Sequence, residues 1–163
     1  MKIQAGITRR SRTWEQLLRR EGLPWRTVNL ATGEGMADCS VLIVTHQLDA
    51  SECDIVQEYL RSGGALLACA RHVAGVGGTS VRTEPLHYLA SDGDSVFTTV
   101  RIIDLGTQGD IPREANHLRT HQHHHAVFAG SLLGGPAVLL PFDVQRVLAD
   151  TRTQRGSRPL AVY

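Results

Sequence analysis

The chain has 163 residues, of which 42% are hydrophobic and 20% charged, with a formal net charge of +1. This length suits one globular domain, and the near-neutral charge excludes a general electrostatic attraction for nucleic acid or for an anionic membrane. No apolar run reaches the roughly 20 residues that a membrane span needs. We therefore expect no nucleic-acid partner and no membrane span.

The N-terminal segment and the cysteines bear on the protein's location. The segment "MKIQAGITRRSR" lacks the apolar core of a secretion signal. The three cysteines, Cys39, Cys53 and Cys69, form no CxxC pair, so neither a disulfide framework nor a zinc site is indicated. The sequence predicts a reducing, cytoplasmic setting and no cofactor.

The first 70 residues alternate between strand-like and helix-like patterns. Capping-box pairs predict where two helices begin, and glycines predict where they end. The predicted elements are a strand at 2–8, a helix from the N-cap Thr13 to Gly22, strands at 24–30 and 40–46, a helix from Ser51 to Gly63, and a strand at 65–70. Strands joined by single helices indicate βαβ crossovers, so we expect a parallel sheet with helices on both faces.

The second half of the chain is less regular. The segment 84–90 is predicted as a short helix or a lining segment, and 95–106 as a strand. Gly109 and Pro112 interrupt the polar segment 107–125, which is predicted to be mostly loop. Two apolar runs around Gly134, Gly135 and Pro136 indicate a hairpin in 126–144. The remaining residues begin like a helix and then become rich in arginine.

Two strand ends carry the candidate catalytic residues. Ligands of parallel α/β sheets collect beyond the carboxyl ends of the strands, where His46 follows one strand, and Cys69 and His72 follow another. Cys69 paired with His46 or His72 would be a nucleophile activated by an imidazole. Its neighbours argue against this role, since a nucleophile elbow needs small residues at the positions of Leu67 and Arg71.

The histidine run His121 to His125 invites a metal interpretation, because imidazoles bind zinc, copper and nickel. His121, His123 and His125 are weak candidate ligands, since their spacing is not that of a helical pair and no acid lies among them. We expect no physiological metal site in this run.

The segments "SVLIVTH" (40–46) and "VQEYLRSGGALLACA" (56–70) resemble the class I glutamine amidotransferase-like superfamily, which includes the trehalose-utilisation-type proteins. The resemblance covers roughly residues 1 to 105. It implies an α/β fold: a three-layer α/β/α sandwich around a flavodoxin-like, Rossmann-like, mostly parallel sheet. The segments "GDIPREANHL" (109–118) and 126–155 resemble the accessory domain that accompanies bacterial polysaccharide deacetylases. On this resemblance residues 1–163 form a single domain of a longer protein with a C-terminal catalytic domain.

Working amidotransferases of that superfamily use a cysteine in G-x-C-x-G and a later His-x-Glu pair. Cys69 occupies the cysteine position without the glycines, and none of the eight histidines is followed two positions later by glutamate. The resemblance thus implies a catalytically degenerate domain that acts as a binding or interaction module, with a carbohydrate or other small-molecule ligand and an adjacent deacetylase as partners. The alternative is a cysteine-dependent hydrolase acting on amide C–N bonds. The sequence does not indicate an oligomeric state.

Overall fold

The computed structural model describes residues 3–91 and 102–153. Part of the strand predicted at 95–106 and the Arg-rich tail beyond residue 153 therefore lie outside the described residues. The elements in chain order are β1 (Ala5–Ile7), α1 (Arg12–Arg20), β2 (Trp25–Thr27), β3 (Val41–Val44), α2 (Ala50–Arg61), β4 (Ala65–Cys69), β5 (Val81–Ala90), β6 (Ile102–Pro112), β7 (His117–Thr120), β8 (His125–Leu132), β9 (Gly135–Leu140) and α3 (Val144–Thr153). All nine strands belong to one sheet, in the order β2-β1-β3-β4-β9-β8-β7-β5-β6.

Strands β2, β1, β3, β4 and β9 pair in parallel. Successive residues of a strand point to opposite faces of a sheet. On β3, Leu42 belongs to the core cluster that contains Val56 of α2, whereas Ile43 packs in a second cluster with Leu18 of α1. Helices α1 and α2 therefore cover opposite faces of this parallel part.

The other part of the sheet is antiparallel. Strand β9 pairs with β8, β8 with β7, β7 with β5, and β5 with β6. A separate core cluster lies here and consists of Leu86, Leu89, Ile111, Leu118, Ala126 and Val127. Because β9 pairs in parallel with β4 and antiparallel with β8, it joins the two parts of the sheet.

The expected fold class is wrong. In place of a three-layer α/β/α sandwich with a flavodoxin-like, mostly parallel sheet, the described residues form a mixed sheet in which antiparallel and parallel pairs are equally frequent. These residues contain nine strands but three α-helices, so the protein is mainly β. The strand–helix alternation that predicts a parallel sheet is confined to the first 70 residues. The second half contains four consecutive strands, β5 to β8, that pair only antiparallel.

Two segment predictions in the second half are also wrong. The segment 84–90, expected as a helix or lining segment, is part of β5, and the expected loop at 107–125 contains the end of β6 and all of β7. By contrast, the hairpin predicted in 126–144 is confirmed, because β8 and β9 pair antiparallel around Leu133 and Gly134.

Both predicted helix starts are two residues late. Ser11 is the N-cap of α1, and its hydroxyl accepts a hydrogen bond from the N–H of Trp14. Asp49 is the N-cap of α2 and forms a reciprocal capping box with Glu52. Within the part of the chain that the structure describes, no helix has the length and hydropathy required to cross a membrane.

Candidate functional site

A cavity of about 220 Å³ opens beyond the carboxyl ends of β4 and β9. This is the edge of the sheet at which the sequence predicts a site, because Cys69 ends β4 and His72 lies in the 3₁₀ turn that follows. The cavity is smaller than the range of roughly 300–1,000 Å³ that is common for drug-sized ligands. Its polar and aromatic lining includes Cys69, Arg71, His72, Asp110, Phe142 and Asp143.

Cys69 is buried, with 8% of its surface exposed. Burial raises the pKa of its thiol to about 11, and the nearby carboxylates of Asp143 and Asp110 add to the rise. Hydrogen bonds from the backbone N–H groups of Arg71 and His72 oppose this effect but do not overcome it. A nucleophilic cysteine requires a lowered pKa, so the environment of Cys69 favours an unreactive neutral thiol.

Both ring nitrogens of His72 face protein oxygens. Its Nδ1 lies 3.4 Å from the carbonyl oxygen of Val44, and its Nε2 lies 3.7 Å from Oδ2 of Asp143. Because a carbonyl oxygen only accepts hydrogen bonds, Nδ1 is the donor in that contact. This arrangement directs the other nitrogen towards a carboxylate and not towards the Cys69 thiol.

Asp143 and Asp110 are the residues of this site that sequence reasoning missed. Asp143 precedes α3 and accepts a hydrogen bond from the N–H of Gln145, while Asp110 accepts one from the hydroxyl of Thr83. Such bonds are the usual reason for aspartate near helix starts and turns, so the residue type alone did not mark either aspartate as part of a site. The signal available was the position of Asp143, three residues after the end of the last apolar strand, β9.

His46 does not line the cavity next to Cys69. Its Nδ1 lies 3.1 Å from the hydroxyl of Thr8, and its Nε2 lies 3.1 Å from both carboxylate oxygens of Glu52. Since an ionised carboxylate only accepts, Nε2 carries the proton, and in the neutral ring Nδ1 accepts from Thr8. His46 thus links the end of β1 to the first turn of α2.

The histidine run forms the turn between β7 and β8. The N–H of Thr120 donates to the carbonyl of His124, and His123 has a positive φ of 63°. The His121 ring packs edge-on against His87 at a centroid distance of 4.6 Å. Within residues 3–91 and 102–153, no three His, Cys, Asp or Glu side chains are grouped so that they could hold a metal ion.

The cavity at β4 and β9 is thus suited to binding and not to cysteine chemistry. Carboxylate oxygens of Asp110 and Asp143 accept hydrogen bonds, the guanidinium groups of Arg71 and Arg146 donate them, and Phe142 offers an aromatic surface. Such a lining offers hydrogen-bond donors, acceptors and an apolar surface to a small ligand.

Sequence comparisons identify no relatives. No protein-family model matches the chain, and no curated protein matches it significantly.

Solved structures with a similar fold were found at low sequence identity. An exo-β-1,4-mannosidase from an Opitutaceae bacterium matches 93% of the chain with a TM-score of 0.63 and 14% identity. A β-galactosidase from a Rahnella species matches 94% with a TM-score of 0.66 and 11% identity. The chain spans about a third of the length of these glycosidases, 34% and 30% respectively.

A ThuA-like protein from Bacteroides uniformis matches over most of both chains. The alignment covers 87% of this chain and 82% of the other, with a TM-score of 0.56 and 11% identity. These likenesses concern the fold alone. The fold of the chain is therefore similar to that of a ThuA-like protein and to one part of two larger glycosidases.

Proposed function

We propose that this chain is a catalytically degenerate amidotransferase-like domain that serves as a binding or interaction module of a carbohydrate-active protein. The observation that carries the proposal is the environment of Cys69. The thiol is buried beside two carboxylates, its pKa is about 11, and no hydrogen bond among the described residues joins it to His46 or His72.

The chemistry of glutamine hydrolysis explains why this environment matters. The reaction requires a thiolate at neutral pH and a histidine base that an acid orients. Around Cys69 the negative charges of Asp143 and Asp110 oppose thiolate formation, and His72 is directed towards Asp143 and the Val44 carbonyl. The position of a nucleophile is retained, but its activation is lost.

We further propose that the cavity at β4 and β9 binds a monosaccharide-sized ligand. Its volume of about 220 Å³ and its mixture of carboxylates, guanidinium groups and one phenyl ring support this ligand class. The likeness of the fold to parts of a mannosidase and a β-galactosidase supports a carbohydrate-active context. An adjacent polysaccharide deacetylase, suggested by the segments 109–118 and 126–155, remains our proposal for the partner domain.

Two further features belong to the same proposal. Residues 1–163 form one domain of a longer protein, and that protein is cytoplasmic. The location is supported by Cys39, Cys53 and Cys69, which are all free thiols.

An ammonia-release assay with glutamine tests the loss of catalysis. We expect the protein to release no more ammonia than a Cys69→Ala variant at the same concentration. Turnover in the unmodified protein that disappears in Cys69→Ala would contradict the proposal.

Calorimetric titration with mannose, galactose and glucose tests the binding role. We expect saturable binding of at least one sugar, weakened about tenfold or more by Asp143→Asn, because the neutral amide accepts a sugar hydroxyl less strongly. Asp54→Asn removes an exposed carboxylate from α2 and is the matched control. Absence of binding to all three sugars, or equal effects of the two variants, would contradict a sugar site in this cavity.

One observation favours the alternative of a cysteine-dependent hydrolase. Cys69, His72 and Asp143 line the same cavity, and these are the residue types of a cysteine catalytic triad. In that alternative His72 would have to turn its Nε2 from Asp143 to the thiol. The reactivity of the Cys69 thiol towards an alkylating reagent distinguishes the two functions.

A further inference from the structure

A second and larger cavity, of about 850 Å³, lies at another place along the same edge of the sheet. It adjoins the ends of β1 and β2 and is lined by Thr8, Arg9, Arg10, Arg26, Glu34 and Glu52, among others. We call it the switch-point cavity. Strand β1 lies between β2 and β3, so the chain leaves β1 towards one side and later returns to its other side. Such a switch in strand order leaves a crevice in which parallel sheets bind ligands.

A partly buried hydrogen-bond network holds the wall of this cavity in place. The Thr8 hydroxyl lies 3.1 Å from His46 Nδ1, and His46 Nε2 lies 3.1 Å from the Glu52 carboxylate. Thr45 completes the network, because its hydroxyl donates to the carbonyl of Arg9 and accepts from the Arg9 N–H. The backbone N–H and the carbonyl of Arg9, where the loop after β1 begins, are thereby both held. This pre-organises the cavity.

The arginines that line the cavity differ in whether a carboxylate of the protein already pairs with them. Arg26 is held by Asp38 at 2.7 Å, and Arg10 lies 3.4 Å from Glu15 with 84% of its side chain exposed. Arg9 is exposed, and no ion pair is seen for its guanidinium among the described residues. Guanidinium groups donate pairs of parallel hydrogen bonds that fit phosphate oxygens. Two adjacent arginines match the nearly two negative charges of a phosphate monoester, whereas a carboxylate carries one.

The carboxylates that line the cavity supply acceptors for a different part of the ligand. Glu34 and Glu52 line the cavity together with Thr8 and the residues after β2. Carboxylates repel a phosphate but accept hydrogen bonds from hydroxyl groups. The cavity volume lies within the usual range for small-molecule sites. The cavity thus offers guanidinium groups to a dianion and carboxylates to hydroxyl groups.

We propose that the switch-point cavity binds a phosphorylated monosaccharide, with the phosphate on Arg9 and Arg10 and the sugar hydroxyls on Glu34 and Glu52. This site is separate from the cavity at Cys69, and the proposal does not rest on the function proposed above. It assigns a ligand to the Thr8–His46–Glu52 network, which the Cys69 site does not use.

Calorimetric titration of the full chain with glucose 6-phosphate tests the proposal. We expect saturable binding that Arg9→Gln weakens about tenfold or more. Arg19→Gln, which removes an exposed arginine from the last turn of α1, is the matched control and should leave the affinity unchanged. Because Arg9 is exposed, thermal unfolding of Arg9→Gln should match that of the unmodified protein. No saturable binding, or equal weakening by both variants, would overturn the proposal.

Three further ligands test separately how the phosphate and the sugar hydroxyls are recognised. Inorganic phosphate and glucose should each bind more weakly than glucose 6-phosphate, because phosphate engages only the arginines and glucose only the carboxylates. Glucuronate should also bind more weakly, since it offers one negative charge to two arginines. Phosphate binding as tight as that of glucose 6-phosphate would overturn the role of Glu34 and Glu52, and equally tight glucuronate binding would overturn the phosphate assignment.

Discussion

At the scale of single residues, the reactivity of Cys69 separates a binding module from a cysteine-dependent enzyme. With a pKa of about 11, only a small fraction of this thiol is ionised at pH 8. Iodoacetamide reacts with the thiolate, so we expect alkylation of Cys69 in the folded protein to be about a hundredfold slower than in urea. The rate should rise with pH until about pH 11, and peptide mass spectrometry resolves Cys69 from Cys39 and Cys53.

An activated Cys69 would show a different pH dependence of alkylation. A rate that reaches its plateau below pH 8 would show an activated thiolate and would favour the hydrolase alternative. The unfolded protein is the matched control, because it contains the same peptide without the burial and without the neighbouring carboxylates.

The His46 side chain is expected to contribute to the stability of the fold. Its side chain is 11% exposed and bridges Thr8 and Glu52, so His46→Ala leaves a hydroxyl and a carboxylate without this partner. We expect a loss of about 1–3 kcal/mol in the free energy of unfolding, measured with urea. His124→Ala is the control, since that side chain is 56% exposed and 4.0 Å from its nearest carboxylate. Equal losses in the two variants would contradict a structural role for the His46 bridge.

At the scale of elements, the start of α2 shows how a residue pattern can be right in kind and wrong in position. Ser51 and Asp54 fit a capping box, but the helix begins earlier, with Asp49 bonded to the N–H of Glu52 and Glu52 bonded back to Asp49. Asp49-x-x-Glu52 is also a capping pair. The bridge from Glu52 to His46 holds this turn from the side of the sheet and favours the earlier start.

The pKa of Asp49 makes this cap testable by pH. Its hydrogen bond from the Glu52 N–H, with a second from Ser51, lowers the pKa of the Asp49 carboxyl below 3.8. A lowered folded-state pKa gives stability that is present above the unfolded pKa and lost as pH falls through the folded value. We expect Asp49→Ala to lower the thermal midpoint at pH 7 more than Ser51→Ala does. The deficit of Asp49→Ala should shrink below pH 3.8; a larger effect of Ser51→Ala would contradict the assignment.

The buried parallel strands were predictable because their signal is local. "SVLIVTH" and "ALLACA" are continuous apolar runs, and β3 and β4 lie within them. Strand β5 has no such run. Leu86 and Leu89 are three residues apart, a spacing typical of one face of a helix. Both lie in one core cluster although they belong to a strand. Between Leu86 and Tyr88 the register shifts, since one residue of β5, His87, opposes two of β6, Leu105 and Gly106, and Gly106 has a φ of 54°.

The candidate site was predictable only in part, because only some of its residues lie beside a strand that has a local sequence signal. Cys69 and His72 follow a strong strand, so their place at the carboxyl edge could be inferred. Asp110 and Asp143 lie far along the chain from Cys69, and they reach the cavity only through the pairing of β9 with β4 and the course of β6. No local pattern reports these pairings, which are set by tertiary contacts.

At the scale of the whole molecule, the pairing of β9 with β4 connects the parallel and antiparallel parts of the sheet. The close approach of α2 to β9 depends on glycine. A Cβ atom at Gly135 would overlap the carbonyl oxygen of Gly64 and would lie 2.9 Å from that of Leu60. Both are backbone atoms, so the clash cannot be relieved by turning a side chain. The end of α2 and the start of β9 would have to separate.

Gly135→Ala should therefore lower the stability of the entire molecule. We expect a loss of about 1–3 kcal/mol or more in the free energy of unfolding by urea, as for overpacked cores. Gly130→Ala in β8 is the matched control, because there the added methyl would contact the end of the Phe128 ring, which can move. Since β9 belongs to both parts, fluorescence and circular dichroism should report one shared transition at lower urea. Two separate transitions in the unmodified protein would show that the parts unfold independently and that β9 does not couple them.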